Sequence, residues 1–344
     1  MEHLTITLST LTPLWTGGID QTCDRLHETG LIGSLRWWYE AIVRGLGGYA
    51  CDPTEHSCIY DEKKSNHDLC LACQVFGTTG WARRFRLSVS APDITLQGQD
   101  GEKQPSGERF KRNSTNRPSW YFRKGFHDTF TLSVLPTHKE FDPHLILGVI
   151  KLIERHAGFG AKTQLGYGWV QIEKVEGATF STDDFVEQLQ NLAHTKPGKS
   201  NGLPNLQEMF FARVKTNDPD ITATLNLRYD VRARFRTSFS NNQRLRHWIC
   251  GTVSEDREAS KMFFSQSVNG VMRVWGWIPD LPASLQGITR DQVIGEIYQT
   301  ITDFGEIESW REFNSDRDTC KKQSDISAYL GSLLEDEKIN GHAL

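Results

Sequence analysis

Four cysteines lie within 23 residues of the sequence and could hold a metal ion. Cys70 and Cys73 form a Cys-x-x-Cys half-site, with Cys51 and Cys58 at least 12 residues upstream. This layout is typical of structural zinc sites, in which four ligands fill a tetrahedral shell and leave no open position for catalysis. We therefore expect a structural Zn²⁺ held by all four thiols. His56 could replace Cys51 as a ligand, and four free thiols are the alternative.

The segment Gly-Phe-Gly-Ala-Lys-Thr-Gln-Leu-Gly-Tyr-Gly at 158–168 could bind an anion. It is not a P-loop, because Ala161 stands where a glycine must precede the lysine. It is not a dinucleotide fingerprint either, because its helix precedes its strand. Closely spaced glycines let a backbone approach a ligand, and exposed N–H groups with one lysine suit a sugar-phosphate backbone. A tight helix-to-strand turn is the alternative. The candidate residues are Gly158, Phe159, Gly160, Lys162, Thr163, Gly166, Tyr167 and Gly168.

A predicted first helix carries a charged stripe at i, i+4 and i+8, formed by Arg36, Glu40 and Arg44. The two arginines could hold phosphates while the glutamate keeps them extended. An ordinary exposed ladder of salt bridges is the alternative. Because a glycine-containing loop precedes this helix, we favour RNA binding for Arg36.

Alternation predicts a strand over 222–236 with one arginine-rich face. Apolar residues alternate there with Arg228, Arg232, Arg234 and Arg236, and Asp230 interrupts the series. Guanidinium groups bind phosphates bidentately and stack on bases, so this ladder suits single-stranded RNA. The alternative is an outer face paired with acids of another subunit or of residues 280–344.

The polar stretch Asp20–Thr29 could serve RNA binding or RNA cleavage. Arg25 and His27 could hydrogen-bond phosphates or bases, or simply be solvated. Asp20, Asp24 and His27 could instead cleave RNA with a metal or as acid and base. No pair of them has a diagnostic spacing, and a loop histidine is more often a binding residue. We therefore expect no catalytic site.

Aromatic rings beside basic residues offer further RNA contacts. Trp37, Trp81, Trp120 and Trp248 lie beside arginines or polar loops, where a ring could stack on an unpaired base. The basic and aromatic insertion 98–125 is typical of a loop that becomes ordered on a partner, either RNA or protein.

Hydrophobic periodicity predicts the elements that position these residues. In the first half, strands over Leu4–Ser9, 82–90, 129–135 and Trp169–Glu173 alternate with two helices, one capped by Ser34 and one beginning at Asp142-Pro143. The order strand, helix, strand, strand, helix, strand is that of a ferredoxin-like or RRM-like domain.

The second half repeats this theme. After the strand at 222–236 come a helix at 241–250, strands near 258–266 and 270–278, and a helix opened by a Thr289/Gln292 capping box. The prediction is an α+β protein with two tandem ferredoxin-like (RRM-like) domains, a zinc-binding insertion and a helical C-terminal tail. Its parts are domain 1–193 with insertions 49–75 and 98–125, linker 194–205, and domain 206–344 with an acidic helical tail from residue 306.

Composition agrees with a folded protein of a reducing compartment. The chain has 344 residues, 38% of them hydrophobic, and the seven cysteines do not suggest a disulfide framework. The sequence has no apolar run of membrane-spanning length and does not begin like a signal peptide, so we expect a cytoplasmic protein. The net charge of −4 hides an acidic segment 280–344, with 13 acidic and 6 basic residues, and a slightly basic remainder.

Several motifs resemble the RAMP proteins of CRISPR effectors, most closely the first subunit of the type III-B Cmr complex. The motifs lie at 11–18, 32–38, 70–77, 80–85 and 158–168, and more weakly at 245–251 and 259–264. The block at 80–85 contains Trp81 and a further candidate RNA contact, Arg84, and the block at 259–264 contains another, Lys261.

The resemblance implies two ferredoxin-like domains without an intrinsic catalytic site. It further implies a position near the 3′ end of the guide RNA, contact with single-stranded target RNA, and other Cmr subunits as partners, with no membrane. An endoribonuclease using Asp20 and His27, or a protein scaffold without RNA contact, are the alternatives.

Overall fold

The computed structural model describes residues 3–18, 20, 22–55, 58–63, 69–91, 96–110, 119–199, 202–253, 257–285 and 287–335. The strands are β1 (Leu4–Thr10), β2 (Phe85–Ser90), β3 (Leu96–Gln97), β4 (Gly101–Lys103), β5 (Trp120–Phe122), β6 (Gly125–Phe126), β7 (Thr129–Pro136), β8 (Val170–Glu176), β9 (Met209–Lys215), β10 (Met262–Phe264), β11 (Val271–Trp277) and β12 (Glu306–Glu312). The helices are α1 (Glu28–Gly45), α2 (Leu71–Phe76), α3 (His144–His156), α4 (Thr182–Thr195), α5 (Asp220–Ser238), α6 (Gln243–Cys250), α7 (Arg290–Phe304) and α8 (Ile326–Leu334). This confirms a mixed α+β protein with antiparallel sheets.

The first large sheet has the strand order β2-β7-β1-β8, and all neighbours are antiparallel. Its strands alternate as the sequence predicts, so that Leu4, Ile6 and Leu8 are fully buried while the residues between them are half-buried. Helices α1 and α3 contribute to the same core. Both are amphipathic, and α3 buries almost its whole apolar face.

The second large sheet has the order β10-β11-β9-β12, again with antiparallel neighbours. Helices α5, α6 and α7 contribute to its separate core, in which Phe210 stacks on Trp310 with ring centroids 4.9 Å apart. The connection order therefore repeats that of the first sheet, with helices after the first and third strands.

The two sheets also share apolar contacts. Phe211 and Trp275 from the second sheet belong to the first core, and Phe211 stacks on Trp38 of α1 at 6.2 Å. Helix α8 packs on α3 and α4, so the C-terminal segment returns to the first half of the chain. The loop 158–168, which connects α3 to β8, packs against β10 and α5 of the second half.

The predicted strand at 222–236 is wrong, because these residues form most of helix α5. Val231 and Phe235, which the prediction placed on one apolar face, are buried four residues apart, and Leu227 is buried four residues before them. A spacing of four fits both the two-residue repeat of a strand and the 3.6-residue repeat of a helix. Tyr229 and Ala233, which a strand would bury equally, are only half-buried.

Other element boundaries also differ from the predictions. Helix α1 begins at Glu28 rather than at Ser34, whose hydroxyl instead accepts a hydrogen bond from the Gly160 N–H at 3.2 Å. Residues 306–312 are strand β12, not part of a helical tail, because they complete the second sheet beside β9. The Thr289/Gln292 capping box and helix α7 are confirmed.

Candidate functional site

The loop between α3 and β8 is shaped by glycines in left-handed conformations. Gly160, Gly166 and Gly168 have φ values of 80°, 86° and 84°. A Cβ on Gly168 would lie 1.9 Å from the Phe159 carbonyl oxygen, so no side chain fits there. The Phe159 N–H donates to the Gly168 carbonyl at 2.7 Å, which closes the loop at its base. Glycine is therefore required for the turn itself.

Several groups expected to face a ligand are used inside the protein. The N–H groups of Gly160, Ala161 and Gly168 donate to the Ser34 hydroxyl, the Trp15 carbonyl and the Pro13 carbonyl. Phe159 and Tyr167 are buried, and Tyr167 donates its hydroxyl hydrogen to the Arg123 carbonyl. Thr163 is half-buried, and its methyl group lies close to Gly158, which is itself buried. These residues form the framework of the loop.

Lys162 is the ligand-facing candidate that the framework leaves at the surface. It adopts a left-handed conformation with φ 59°, and its Nζ lies 3.9 Å from the centre of the Trp15 ring. Partial burial, and next the nearby charge of Arg123, lower the pKa of its ammonium group. The lysine is thus held over an aromatic face beside a second cation.

The insertion 98–125 supplies the rest of this surface. Arg123 lies over the ring of Tyr121 at 5.1 Å, and Tyr121 is 55% exposed. Phe122, on the opposite side of β5, is buried and stacks on Tyr167 at 6.2 Å. We call the group Trp15, Tyr121, Arg123 and Lys162 the loop surface. It combines two cations with an exposed aromatic ring.

The stretch 20–29 brings its polar side chains together around Gly18. A Cβ at Gly18 would lie 3.2 Å from Asp20 Oδ1, 3.2 Å from His27 Nε2 and 3.4 Å from Asp24 Oδ1. His27 Nε2 is 2.7 Å from Asp24 Oδ1. Hydrogen bonds from Thr22 lower the pKa of Asp20, and the bond to His27 lowers that of Asp24. Arg25, between Asp24 and His27 in the sequence, is exposed.

The four predicted metal ligands converge. The Sγ atoms of Cys51, Cys58, Cys70 and Cys73 all lie within 4.8 Å of one another, and no disulfide links them. A tetrahedral zinc shell with Zn–S bonds of ~2.3 Å separates its sulfurs by about 3.8 Å, so the cluster has the size of a metal site. Hydrogen bonds from the Cys51 and Cys70 thiols, aided by the Arg36 guanidinium, lower the pKa of Cys73. His56 lies outside the described residues.

The charged stripe of α1 supports this cluster instead of forming an exposed face. Arg36 donates to Cys73 Sγ at 3.1 Å, to the Gly77 carbonyl at 3.0 Å and to Glu40 at 2.7 Å. Arg44, which is buried, donates to Glu40 and to the carbonyls of Ala50, Cys51 and Pro204. The expected phosphate contact by Arg44 is therefore corrected, because its guanidinium is enclosed by protein acceptors.

Trp81 and Arg84 form a cation–aromatic pair beside the part of the chain that carries the four cysteines, Cys51 to Cys73, which we call the cysteine segment. The Arg84 guanidinium lies 4.1 Å from the Trp81 ring centre, and the indole N–H donates to the Gln74 carbonyl at 3.1 Å. The Tyr60 ring contacts the same indole at 4.9 Å. Both predicted side chains are half-buried, so part of each faces solvent.

The predicted arginine ladder is divided between two faces of helix α5. Arg232 and Arg236 lie one turn apart, and Arg232 donates to the Cys250 and Gly251 carbonyls. Burial, and then the charges of Arg236 and Arg232, lower the pKa of Arg246 on α6, so these three cations form one basic surface. Nearby on α6, the Trp248 ring holds Lys261 Nζ at 4.3 Å.

Arg234 lies on the other face of α5, in a mixed-charge cleft. It forms ion pairs with Asp303 and Glu296 of α7. The open cleft has a volume of about 520 Å³ and also contains the bidentate pair between Arg109 and Asp230. This corrects the ladder geometry, and for Arg234 it matches the alternative of pairing with acids from 280–344.

Sequence reasoning did not assign Trp15, Tyr121 and Arg123 to one site with Lys162. Trp15 stood out only as part of a motif, and Arg123 only as one charge in a basic stretch. A usable signal was the Trp-Tyr-Phe sequence at 120–122, in which the middle ring must face opposite to its neighbours on a strand.

No helix in the described part of the chain is both long enough and apolar enough to cross a membrane.

Comparison with protein-family models supports the motif resemblance. No curated protein matches this sequence. Among solved structures, the chain is similar to apo Cmr1 from Pyrococcus furiosus, with a TM-score of 0.48 and 14% identity over 89% of this chain and 98% of that one. It is also similar to a chain of the type III-B Cmr-beta complex bound to cognate target RNA, with a TM-score of 0.46 and 13% identity over 88% of this chain and 100% of that one. The family model of the RAMP superfamily matches residues 7–171. This matched region contains all four residues of the loop surface.

Proposed function

We propose that this protein is a non-catalytic, RNA-binding subunit of a type III-B CRISPR (Cmr) ribonucleoprotein effector complex acting in the cytoplasm. Its ligands would be guide RNA, near the 3′ end, and single-stranded target RNA, and its protein partners would be other Cmr subunits. The observation that carries the proposal is the loop surface: Lys162 and Arg123, each against an aromatic ring, within the RAMP region.

The chemistry of this surface favours single-stranded RNA over other anions. Two cations can follow a phosphate backbone, while the exposed Tyr121 ring offers a stacking face for an unpaired base. A small phosphorylated ligand would need an enclosing pocket, whereas Tyr121 and Arg123 are exposed and Lys162 is half-buried. The basic surface of α5 and α6 could extend the same strand.

We propose binding without cleavage because a loop histidine is more often a binding residue than a general base. The cluster of Asp20, Asp24 and His27 nevertheless favours the endoribonuclease alternative more than sequence spacing did, because three polar atoms surround one point. The ion pairs of Arg234 favour the scaffold alternative for that arginine alone.

The two sheets support a finer reading of the fold. Each follows the same connection order and places its first strand beside its third and fourth. We propose that they are two ferredoxin-like domains, 1–193 and 206–344, joined by 194–205. Because Arg44 of α1 donates to the Pro204 carbonyl, the end of this linker is fixed to the first domain.

We propose Zn²⁺ as the occupant of the cysteine cluster. Four sulfur ligands suit zinc, and a full shell gives it a structural role that holds the four cysteines against α1. The contact between Arg36 and Cys73 would then orient one of the ligands.

The proposed function is tested by binding of labelled single-stranded RNA to the purified protein across a salt series. We expect log K to fall linearly with log salt for the wild type. Lys162→Met should weaken binding about 10-fold and reduce the slope by about 0.7, because one phosphate contact is lost. Lys174→Met, which removes an exposed lysine paired with Glu176 on β8, is the matched control and should leave binding unchanged.

The same samples separate the alternatives. If the wild type cleaves the RNA and Asp20→Ala or His27→Ala leaves it intact, the endoribonuclease alternative is established. Absence of salt-sensitive binding, alone and after assembly with Cmr subunits, would favour a scaffold. Equal effects of Lys162→Met and Lys174→Met would reject the loop surface as the RNA site.

A further inference from the structure

Two buried arginines of the second half contact the glycine loop from behind. Arg228 of α5 donates to the Gln164 carbonyl, and Arg273 of β11 donates to the Ala157 carbonyl at 3.4 Å. Ala157 lies immediately before the loop, and Gln164 follows Lys162 by two residues. Each side chain is more than nine-tenths buried. The two guanidinium groups therefore hold the backbone on both sides of Lys162.

These arginines are unusual because the structure gives neither of them an ion pair with a carboxylate within the described residues. Arg228 instead lies 5.3 Å from the Trp120 ring and 5.6 Å from Phe264, and Arg273 lies 4.1 Å from the Trp169 ring. Among the residues that the structure describes, the Nε atom of each is buried and has no hydrogen-bond partner. Burial lowers the pKa of Arg228 to about 10 and that of Arg273 well below its usual value.

Packing alone does not account for two such side chains. Burying a charge costs free energy unless it is paired, and an apolar residue of similar volume would avoid that cost. Arginine does two things here that an apolar residue cannot. Its N–H groups reach carbonyls of the loop, and its charge makes the underside of the loop positive, which favours an anion at the loop surface.

We propose that Arg228 and Arg273 are positioning residues that hold the glycine loop in its RNA-binding shape, so that the RNA site of the first half depends on the second half. This inference rests on the proposed function, and it extends that function by assigning a role to residues that do not reach the surface. The Lys162 backbone, with its left-handed φ, is the element they hold.

The test combines amide hydrogen exchange with RNA binding for Arg228→Met and Arg273→Met. Arg234→Met is the matched control, because it also removes an arginine from α5 but lies in the cleft on the other face. We expect amide exchange at 158–168 to become at least 10-fold faster in the first two variants and to stay unchanged in the control, because a hydrogen bond to a charged donor is lost. Arg228→Lys, which keeps the charge and a donor, should restore part of the protection.

RNA binding distinguishes positioning from direct contact. Arg228→Met should weaken binding about 10-fold but reduce the salt slope by less than the ~0.7 expected for Lys162→Met, since a buried arginine contacts no phosphate itself. Combined with Lys162→Met, it should weaken binding less than the product of the two single effects, because both act through one loop.

Unchanged exchange at 158–168, or full additivity with Lys162→Met, would overturn the proposal. Faster exchange in a protein that binds no RNA would support the positioning role and reject the proposed function. If Arg228→Met accelerates exchange throughout the chain, Arg228→Lys is compared with Arg234→Met instead. Faster amide exchange confined to 158–168 in Arg228→Lys supports the proposal. Exchange at 158–168 that is no faster in Arg228→Lys than in Arg234→Met overturns it.

Discussion

Helices α1 and α5 carry polar stripes with the same spacing but opposite arrangements of charge. Their residues at i, i+4 and i+8 are Arg36, Glu40 and Arg44 on α1, and Arg228, Arg232 and Arg236 on α5. On α1 the stripe is mostly buried, with Glu40 and Arg44 at most 5% exposed. On α5 exposure increases along the helix, from buried Arg228 to exposed Arg236.

The difference lies in the middle residue and the neighbouring acceptors. Glu40 accepts hydrogen bonds from both arginines of α1. The three side chains can therefore be buried together, and the arginines can donate hydrogen bonds to the cysteine segment. Like charges on α5 repel one another, and only Arg228 is buried, where carbonyl and ring contacts replace a carboxylate. Spacing defines the stripe, but the charge sequence decides whether it faces the interior or the surface.

The largest effect is expected from Glu40→Gln. This change leaves Arg36 and Arg44 without a carboxylate in a buried site, which typically costs about 3–5 kcal/mol of folding free energy. Denaturant unfolding monitored by circular dichroism measures it. The control on α5 is Asp230→Asn, which removes the partly exposed partner of Arg109 and should cost only about 0–1 kcal/mol. Equal losses would contradict the distinction between the two stripes.

A second expectation concerns the metal site. Arg36→Met removes the hydrogen bond to Cys73 Sγ, and loss of such an outer contact usually lowers metal affinity about 10–100-fold. Competition with a chromophoric zinc chelator measures the affinity. Arg232→Met should bind zinc like the wild type, and Cys58→Ser should lose most of its zinc. A weaker site in Arg232→Met than in Arg36→Met would reverse the roles assigned to the two helices.

The smallest effect is expected on the exposed end of α5. Arg236→Ala should reduce RNA affinity roughly 3-fold, in the range of a single exposed charge, and lower the salt slope by about 0.7. Arg234→Ala should change neither, because its guanidinium is already paired with Asp303 and Glu296. Filter binding at three salt concentrations is sufficient. A larger loss in Arg234→Ala would show that the cleft, and not the basic surface, contacts RNA.

Much of the fold could be predicted because local signals agreed with tertiary structure. Strands such as β1 and β2 alternate clearly, and the capping box of α7 is explicit in the sequence. Helix α5 could not be predicted in this way, since its buried residues repeat every four positions and fit two periodicities. Strand β12 was missed because its acidic residues resemble a solvated helix, whereas its pairing partner β9 lies about 90 residues away.

The candidate sites also differ in how well the sequence predicts them. The spacing of the four cysteines indicates metal ligands, and their sulfur atoms converge as predicted. The loop surface was only half predicted, because Lys162 and Tyr121 come from segments 40 residues apart that meet through the buried Tyr167 and Phe122. The charge of an arginine is visible in sequence, but its burial is not. Arg44 and Arg228 are therefore the residues whose roles changed most.

The most direct test of the central claim is ultraviolet crosslinking of single-stranded RNA to the intact protein, with the crosslinked peptides mapped by mass spectrometry. We expect crosslinks at Tyr121 and within 158–168, and their loss in Lys162→Met but not in Lys174→Met. Crosslinks confined to α1 and the cysteine segment, or unchanged crosslinking in Lys162→Met, would contradict the assignment of the loop surface as the RNA-binding site.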